Sequence, residues 1–499
     1  MELMRITPEE AGISSDQVAD CIRALMHDQT EMHGFMAARG GKVFAEAWWE
    51  PYGPGLIHCN HSLGKSYTAT AIGILYTQGR LSMEEKVTDL FARELSEYGI
   101  RPSAYMEELT VYHVLTMSNG MARHPVMDQD WLKNYLSEPV VVRPGTEFMY
   151  NSSGSCLLGA IVKKKTGKGL REFLQEELFG KIGIDGETFQ ILQFPDGYDA
   201  EPGTASRTED NLRLALLYMQ KGCWDGEQII DREWMEQAMS CRIQTGDGTE
   251  DYRHGYGYQL WNSRIPGLYR FDGGQGQYGL IWPEKELAVA VHEGGMFPDG
   301  AQITLDVLYE YLLCKLADEP LPGNAGAHER LLALEKRLRI AEKEPNRLEV
   351  PKERFAGKYR VVSGDGDPWI SVSPGGYNFF RCFYHPEKKE AFTDFELEVE
   401  EEFIRFTADG YAVFEAYLDG KHHPVYTDNV IPELGWNCSY ARYLDEDTLE
   451  LTTKWLNGWF DDRIVMRRSG GTLSMTFYKD RLHEGADRYR VTHCEAERV

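Results

Sequence analysis

Apolar and polar positions alternate with two distinct periods along the first part of the chain. Residues 14–27 carry apolar side chains at the spacing of an amphipathic helix, capped by Ser14 or Ser15. The period then drops to two. Residues 34–39 and 42–48 read as strands, and Gly40-Gly41 between them is a two-residue hairpin signal. After a loop, Ala69, Ala71, Ile72, Ile74 and Leu75 mark an apolar helix closed by Gly79. Residues 83–150 read as helical and irregular, with a short helix at 111–117, a turn at Asn119-Gly120 and a tight turn at Arg143-Pro144-Gly145. Residues 153–166 return to helical spacing through Cys156, Leu157, Ala160 and Ile161, stop at Gly167, and are followed by a helix through Leu178. Ser206 with Glu209 predicts a capping box for a helix over 207–220. Strand-like runs at 257–261, 269–272, 277–282 and 287–292, separated by turn residues, predict an antiparallel meander, and 304–316 a helix.

The texture changes at Leu321-Pro322-Gly323-Asn324-Ala325-Gly326, which marks a boundary. A charged helix over 328–343 is expected as a bridge. Beyond Val350, short aromatic and β-branched runs alternate with Gly, Asp and Asn turns: 358–362, 403–406, 448–451, 462–466 and 473–477. They predict an all-β sandwich or small barrel. The expected organisation is therefore a domain over 1–322, a helical linker over 323–349 and an all-β domain over 350–499, with no internal repeat.

Composition narrows the function classes. The 499 residues are 42% hydrophobic and 26% charged, which suits a soluble globular chain with ample core. The net charge of −26 argues against nucleic-acid and anionic-membrane partners. The acidic run at 398–402 reads as a solvated edge. Nine cysteines, an odd number without a C-x-x-C pair, suggest neither a disulfide framework nor a zinc site. With no apolar signal region at the N-terminus and no run of membrane-spanning length, a cytoplasmic location with reduced thiols is expected.

The candidate chemistry sits at His61-Ser62-Leu63-Gly64-Lys65, at the head of the apolar helix. Residues at i and i+3 share a helix face, so Lys65 is placed beside the Ser62 hydroxyl. A serine hydroxyl needs a neighbouring base to become a nucleophile, and a desolvated lysine can serve as one. His61 points away from Ser62 and is expected at a pocket edge. His58, His113, His124, His254 and His292 show no metal-ligand spacing. Trp48-Trp49 and Tyr256-Gly257-Tyr258 are expected in the core or a cleft wall.

A hairpin, a Ser-x-x-Lys helix, a helical insert, an antiparallel meander and a closing helix, in that order over about residues 5 to 318, resemble the serine β-lactamase and penicillin-binding-protein superfamily. The match is nearest to its class C-like branch of esterases and D-aminopeptidases. The resemblance implies an α+β fold, an antiparallel sheet flanked by helices with a helical subdomain. It implies Ser62 as acyl-accepting nucleophile and Lys65 as the group assisting its deprotonation. Tyr150, in Phe148-Met149-Tyr150-Asn151-Ser152, stands at the Tyr of the family's Tyr-x-Asn and inherits a general acid or base role. Ser152 occupies the usual Asn position and Asn151 is one place early, so either could make the substrate contact. In Arg270-Phe271-Asp272-Gly273-Gly274, aligned on Gly273, Phe271 replaces the family's Lys or His and Asp272 its small hydroxyl residue. The Gly274 and Ser62 N–H groups would form the oxyanion hole.

Phe271 cannot hold a substrate carboxylate and Asp272 would repel one. Poor turnover of β-lactams and D-Ala-D-Ala peptides is therefore expected, with a neutral or cationic substrate, an ester, an amide or a peptide carrying a free amine near Asp272, fitting better. No cofactor or metal is implied. The resemblance also accommodates a catalytically weak ligand-binding or sensor protein, and leaves the oligomeric state open.

Overall fold

The computed structural model describes residues 2–194, 196–246, 250–295, 300–364, 392–408, 410–427, 435–458, 461–480 and 489–499; Cys382 lies outside them. The chain divides into two compact units, one formed by Met1–Trp48 and Ile57–Leu338, the other by Trp49–Leu56 and Arg339–Val499.

The first unit is built on a six-stranded antiparallel sheet. Its order is Lys42–Trp48 (β2), Met32–Arg39 (β1), Leu287–Glu293, Gln277–Trp282, Tyr269–Gly273 and Trp261–Asn262. Gly40 and Gly41 take positive φ, 56° and 78°, as the tight β1–β2 turn requires. β1 and Leu287–Glu293 are buried on both faces, which explains why their apolar residues run on rather than alternate. The helix Ser15–Leu25 (α1) begins with Ser14, which makes a capping box with Gln17. The helix Thr208–Met219 covers the sheet with a face that is buried throughout. A helical part includes Val111–Leu115, Trp131–Ser137, Ser152–Thr166 and Leu170–Leu174. The sheet-and-helix order is the one expected.

Local expectations shift where tertiary contacts compete. The helix expected at 328–343 runs Ala325–Glu335, is capped by Asn324, and is tied to α1 by the Arg330–Asp16 ion pair at 2.8 Å. The helix expected at 304–316 is Gly300–Val307 followed by a π turn at Leu308–Leu312 and a 3-10 turn at Leu313–Lys315. Ser206 does not cap Thr208–Met219. Its hydroxyl is taken by Asn60 and Asn211, and Asp210 instead accepts from the Arg207 N–H at 3.1 Å.

The second unit is a closed β-barrel. Among the described residues its ten strands run in sheet order from Tyr411–Tyr417 to Pro424–Tyr426, and a parallel pairing of Ala416 with Ser439 and Tyr417 with Tyr440 closes the ring. Closure removes the open edges that a sandwich would leave. Phe395, Leu397 and Val399 alternate inward, and Phe395, Phe406 and Phe414 stack with centroids 5.5 and 5.3 Å apart. Buried Asn437, Ser439, Thr427 and Thr453 hydrogen-bond to one another in one layer. Among the described residues no helix is long and apolar enough to cross a membrane.

Candidate active site

The chain reaches the site from the short strand His58–Cys59, which pairs with Ala205 and Ser206, and from Asn60, whose N–H donates to Thr204 O at 2.9 Å. Ser62 lies on a 3-10 turn, His61–Leu63, immediately before the helix Gly64–Thr77 (α2), rather than on the helix itself. His61 takes φ 49°, a left-handed conformation that a side chain adopts at a cost of about 1–3 kcal/mol. The turn keeps the i, i+3 relation: Lys65 Nζ donates to Ser62 Oγ at 2.8 Å. Lys65 is only 1% exposed, because α2 is buried on every side from Gly64 to Leu75.

Asn60 holds this turn from below. Its Oδ1 accepts from Asn211 Nδ2 at 2.8 Å and from Ser206 Oγ at 3.1 Å, and its backbone carbonyl accepts the Leu63 N–H at 3.1 Å. Asn211 also accepts from the Tyr67 hydroxyl at 3.0 Å, so α2 and Thr208–Met219 are joined through it. His292 Nε2 lies 2.9 Å from Asn211 Nδ2 and 3.1 Å from Asn60 Oδ1. The His292 ring stacks on His58 at 4.6 Å, and His58 Nε2 lies 2.9 Å from His33 Nδ1. All three imidazoles are buried. Burial, then the neighbouring histidines, holds His58 well below the ordinary imidazole value; burial and His33 hold His292 down to about 3. No metal-ligating group of three is found among the described residues.

Tyr150 precedes Ser152–Thr166, and its ring centroid lies 5.2 Å from Lys65 Nζ. Asn151 is buried. Its side-chain oxygen accepts from Gly154 N at 3.1 Å and Ser153 Oγ at 2.7 Å as the helix N-cap. Ser152 is half-buried, with its N–H donating to His124 Nε2 at 3.0 Å. Between these two candidates, only Ser152 retains surface for a substrate.

The strand Tyr269–Gly273 passes beside the Ser62 turn. A Cβ on Gly273 would sit 2.2 Å from Asn60 O and 3.1 Å from Leu63 N, so only glycine lets these backbones approach. Gly274 begins the turn back to Gln277, whose side-chain Nε2 donates to Gly274 O at 3.2 Å and Glu293 O at 2.6 Å. Glu293 is buried beneath this turn, where burial drives its carboxyl well above the ordinary value despite the bond from Thr304. We expect Gly273→Ala to lower the thermal midpoint, by an overpacking cost of about 1–3 kcal/mol. It should also slow covalent labelling of Ser62 by at least about tenfold, since the Ser62 turn must move. Unchanged labelling would mean that the contact does not set the geometry.

Two expectations for this strand are corrected. Phe271 is fully buried against Tyr218, with ring centroids 5.0 Å apart, and leaves no surface for a substrate. Asp272 is not a free anion awaiting a substrate amine. It pairs with Arg270 Nε at 2.7 Å, accepts from the Tyr252 hydroxyl at 3.1 Å, and its side chain is 8% exposed. Burial lifts its carboxyl above the ordinary value even against the Arg270 charge. Arg270 and Asp272, two apart on a strand, share a face, and their opposite charges were the available signal for the pair. The Asn60–His292 cluster had no comparable local signal.

The family model described as Beta-lactamase matches residues 18–306, more than half of the chain. The chain is 24% identical over 252 residues to the 6-aminohexanoate-dimer hydrolase of Paenarthrobacter ureafaciens, covering 47% of this chain and 64% of that protein. It is 23% identical over 280 residues to penicillin-binding protein 4 of Amycolatopsis lactamdurans, covering 47% and 71%. A penicillin-binding protein homologue from Caulobacter crescentus has a similar fold, with a TM-score of 0.50 at 15% identity over 62% of this chain and all of its own. With its sheet, its helical part and the extent of the family match, the chain belongs to the Beta-lactamase family.

Proposed function

We propose that this protein is a serine acyl hydrolase that works through a covalent acyl-Ser62 intermediate on an ester or amide. The observation that carries this reading is the 2.8 Å hydrogen bond between Nζ of the buried Lys65 and the Ser62 hydroxyl. A lysine withdrawn from water gives up its own proton more readily than an exposed one, and the neutral amine is then free to accept another. Ser62 Oγ attacks the carbonyl carbon as its proton passes to the neutral Lys65 amine. The tetrahedral oxyanion is held by the Ser62 and Gly274 N–H groups. The C–O or C–N bond then breaks, and Tyr150, next to Lys65, relays the proton to the leaving alcohol or amine. Water attacks the acyl-enzyme by the same route and releases the acid. Relatives named as a hydrolase and as a penicillin-binding protein support acyl chemistry on this frame.

A fluorophosphonate probe followed by intact-mass and peptide mass spectrometry tests the reading. A single adduct on Ser62, absent in Ser62→Ala, is the expected outcome. A folded protein that takes no adduct would point to a ligand-binding protein on the same scaffold.

A further inference from the structure

Next to Tyr150 the site has an aromatic flank whose other rings the reaction scheme does not use. Tyr150 stacks on Trp261 at 5.8 Å with the planes 21° apart, and Tyr256 meets Trp261 edge-on at 4.9 Å. Phe148 packs on both Tyr256 and Trp261, at 5.3 and 5.6 Å, and Tyr252 meets Trp261 edge-on at 4.8 Å. Trp261 and Tyr256 are buried, whereas Phe148, Tyr150 and Tyr252 are half-buried. The flank is anchored to the reaction centre at both ends. Tyr150 lies beside Lys65, and the Tyr252 hydroxyl donates to Asp272, the neighbour of the Gly273 that touches the Ser62 turn.

Its charges are spent internally. Arg270 pairs with Asp272, and its guanidinium lies 4.7 Å from the Tyr252 centroid and 5.8 Å from that of Trp261, behind the rings rather than in front of them. A surface of ring faces backed by a neutralised ion pair gains from covering apolar area. It has nothing to offset the desolvation of a substrate charge.

Resting on the acyl-hydrolase reading, we infer that this flank is a substrate subsite, with Phe148 and Tyr252 as its specificity-determining residues, and that it selects uncharged esters carrying an aromatic or bulky apolar group next to the scissile bond. The group sits on the half-buried Phe148 and Tyr252 rings, with Trp261 packed behind them, while the carbonyl faces Ser62.

The test compares four esters by pH-stat: methyl acetate, methyl phenylacetate, benzyl acetate and monomethyl succinate. Wild type should favour methyl phenylacetate or benzyl acetate over methyl acetate by at least about tenfold in kcat/KM, and monomethyl succinate should rank last; which aryl ester leads tells whether the acyl or the alcohol side meets the rings. In Tyr252→Ala and Phe148→Ala the aryl preference should fall towards parity. Tyr252→Leu and Phe148→Leu, which keep apolar bulk, should fall between and serve where the alanine variants do not fold. Ser62-dependent turnover with no aryl preference, or a preference the variants retain, overturns the subsite and leaves the hydrolase reading standing. Turnover of none of the esters, with no Ser62 adduct, overturns both.

Discussion

Lys65→Met is expected to lower kcat/KM for any accepted ester by about 10³- to 10⁴-fold, the usual contribution of a positioned general base. It should do so without unfolding the protein. Methionine keeps the length and volume of the lysine stem, and α2 is buried around position 65, so packing survives the change. Replacing a buried amine by an apolar group of similar size also removes the cost of keeping that polar group from water. Loss of activity should therefore accompany an unchanged or raised thermal midpoint, the pattern of a residue kept for chemistry. Lys65→Arg should not rescue, because a guanidinium does not give up its proton near neutral pH. Activity within tenfold of wild type in Lys65→Met would remove lysine from the proton path and leave Tyr150 as the candidate base.

Acid should destabilise the first unit through the histidine cluster beneath the Ser62 turn. His58 and His292 are held neutral, His292 down to about 3. The unfolded chain binds a proton on each below about pH 6.5, while the folded chain does not. The stability that this difference represents is complete above about pH 6.5 and is lost as pH falls from there towards about 3. Each imidazole contributes a slope of about 1.4 kcal/mol per pH unit within that window. The groups around them are His33, Glu31, Thr208, Asn60 and Asn211, and Glu31 Oε1, 3.1 Å from His33 Nε2, is the carboxylate of this set. Urea midpoints measured between about pH 7 and about pH 5 should fall steeply in wild type and less steeply in His292→Asn. Identical pH slopes in the two proteins would show that the cluster does not govern acid stability.

The candidate site was legible where its information is local. Ser62 and Lys65 are three residues apart, and both a 3-10 turn entering a helix and a full helix bring such residues together. That is why the pair survives although Ser62 is not on α2. The β1–β2 hairpin was legible because Gly40-Gly41 supplies two positive φ angles that few residue types tolerate. Tyr150 was singled out by the resemblance to the family's Tyr-x-Asn ahead of an apolar helix, and Asn151 spends its side chain on capping that helix. Asn at a helix start does this commonly, so the cap competes with any substrate role.

Amino-acid order was therefore sufficient for the hairpin, the juxtaposition of Ser62 and Lys65, the helices with strong apolar periodicity and the all-β character of the second unit, since each depends on residues within a few positions of one another. Long-range packing settled the remainder. Barrel rather than sandwich depended on Ala416 and Tyr417 meeting Ser439 and Tyr440, a pairing with no local signal. The histidine cluster exists because β1 lies against Leu287–Glu293, bringing positions 33 and 292 together across most of the first unit. The same packing turned Phe271 into the core and drew Asp272 to Arg270, which leaves no free charge where a charged subsite was expected. Which face of a strand meets solvent, and which charge finds a partner first, follows from the neighbours that folding supplies.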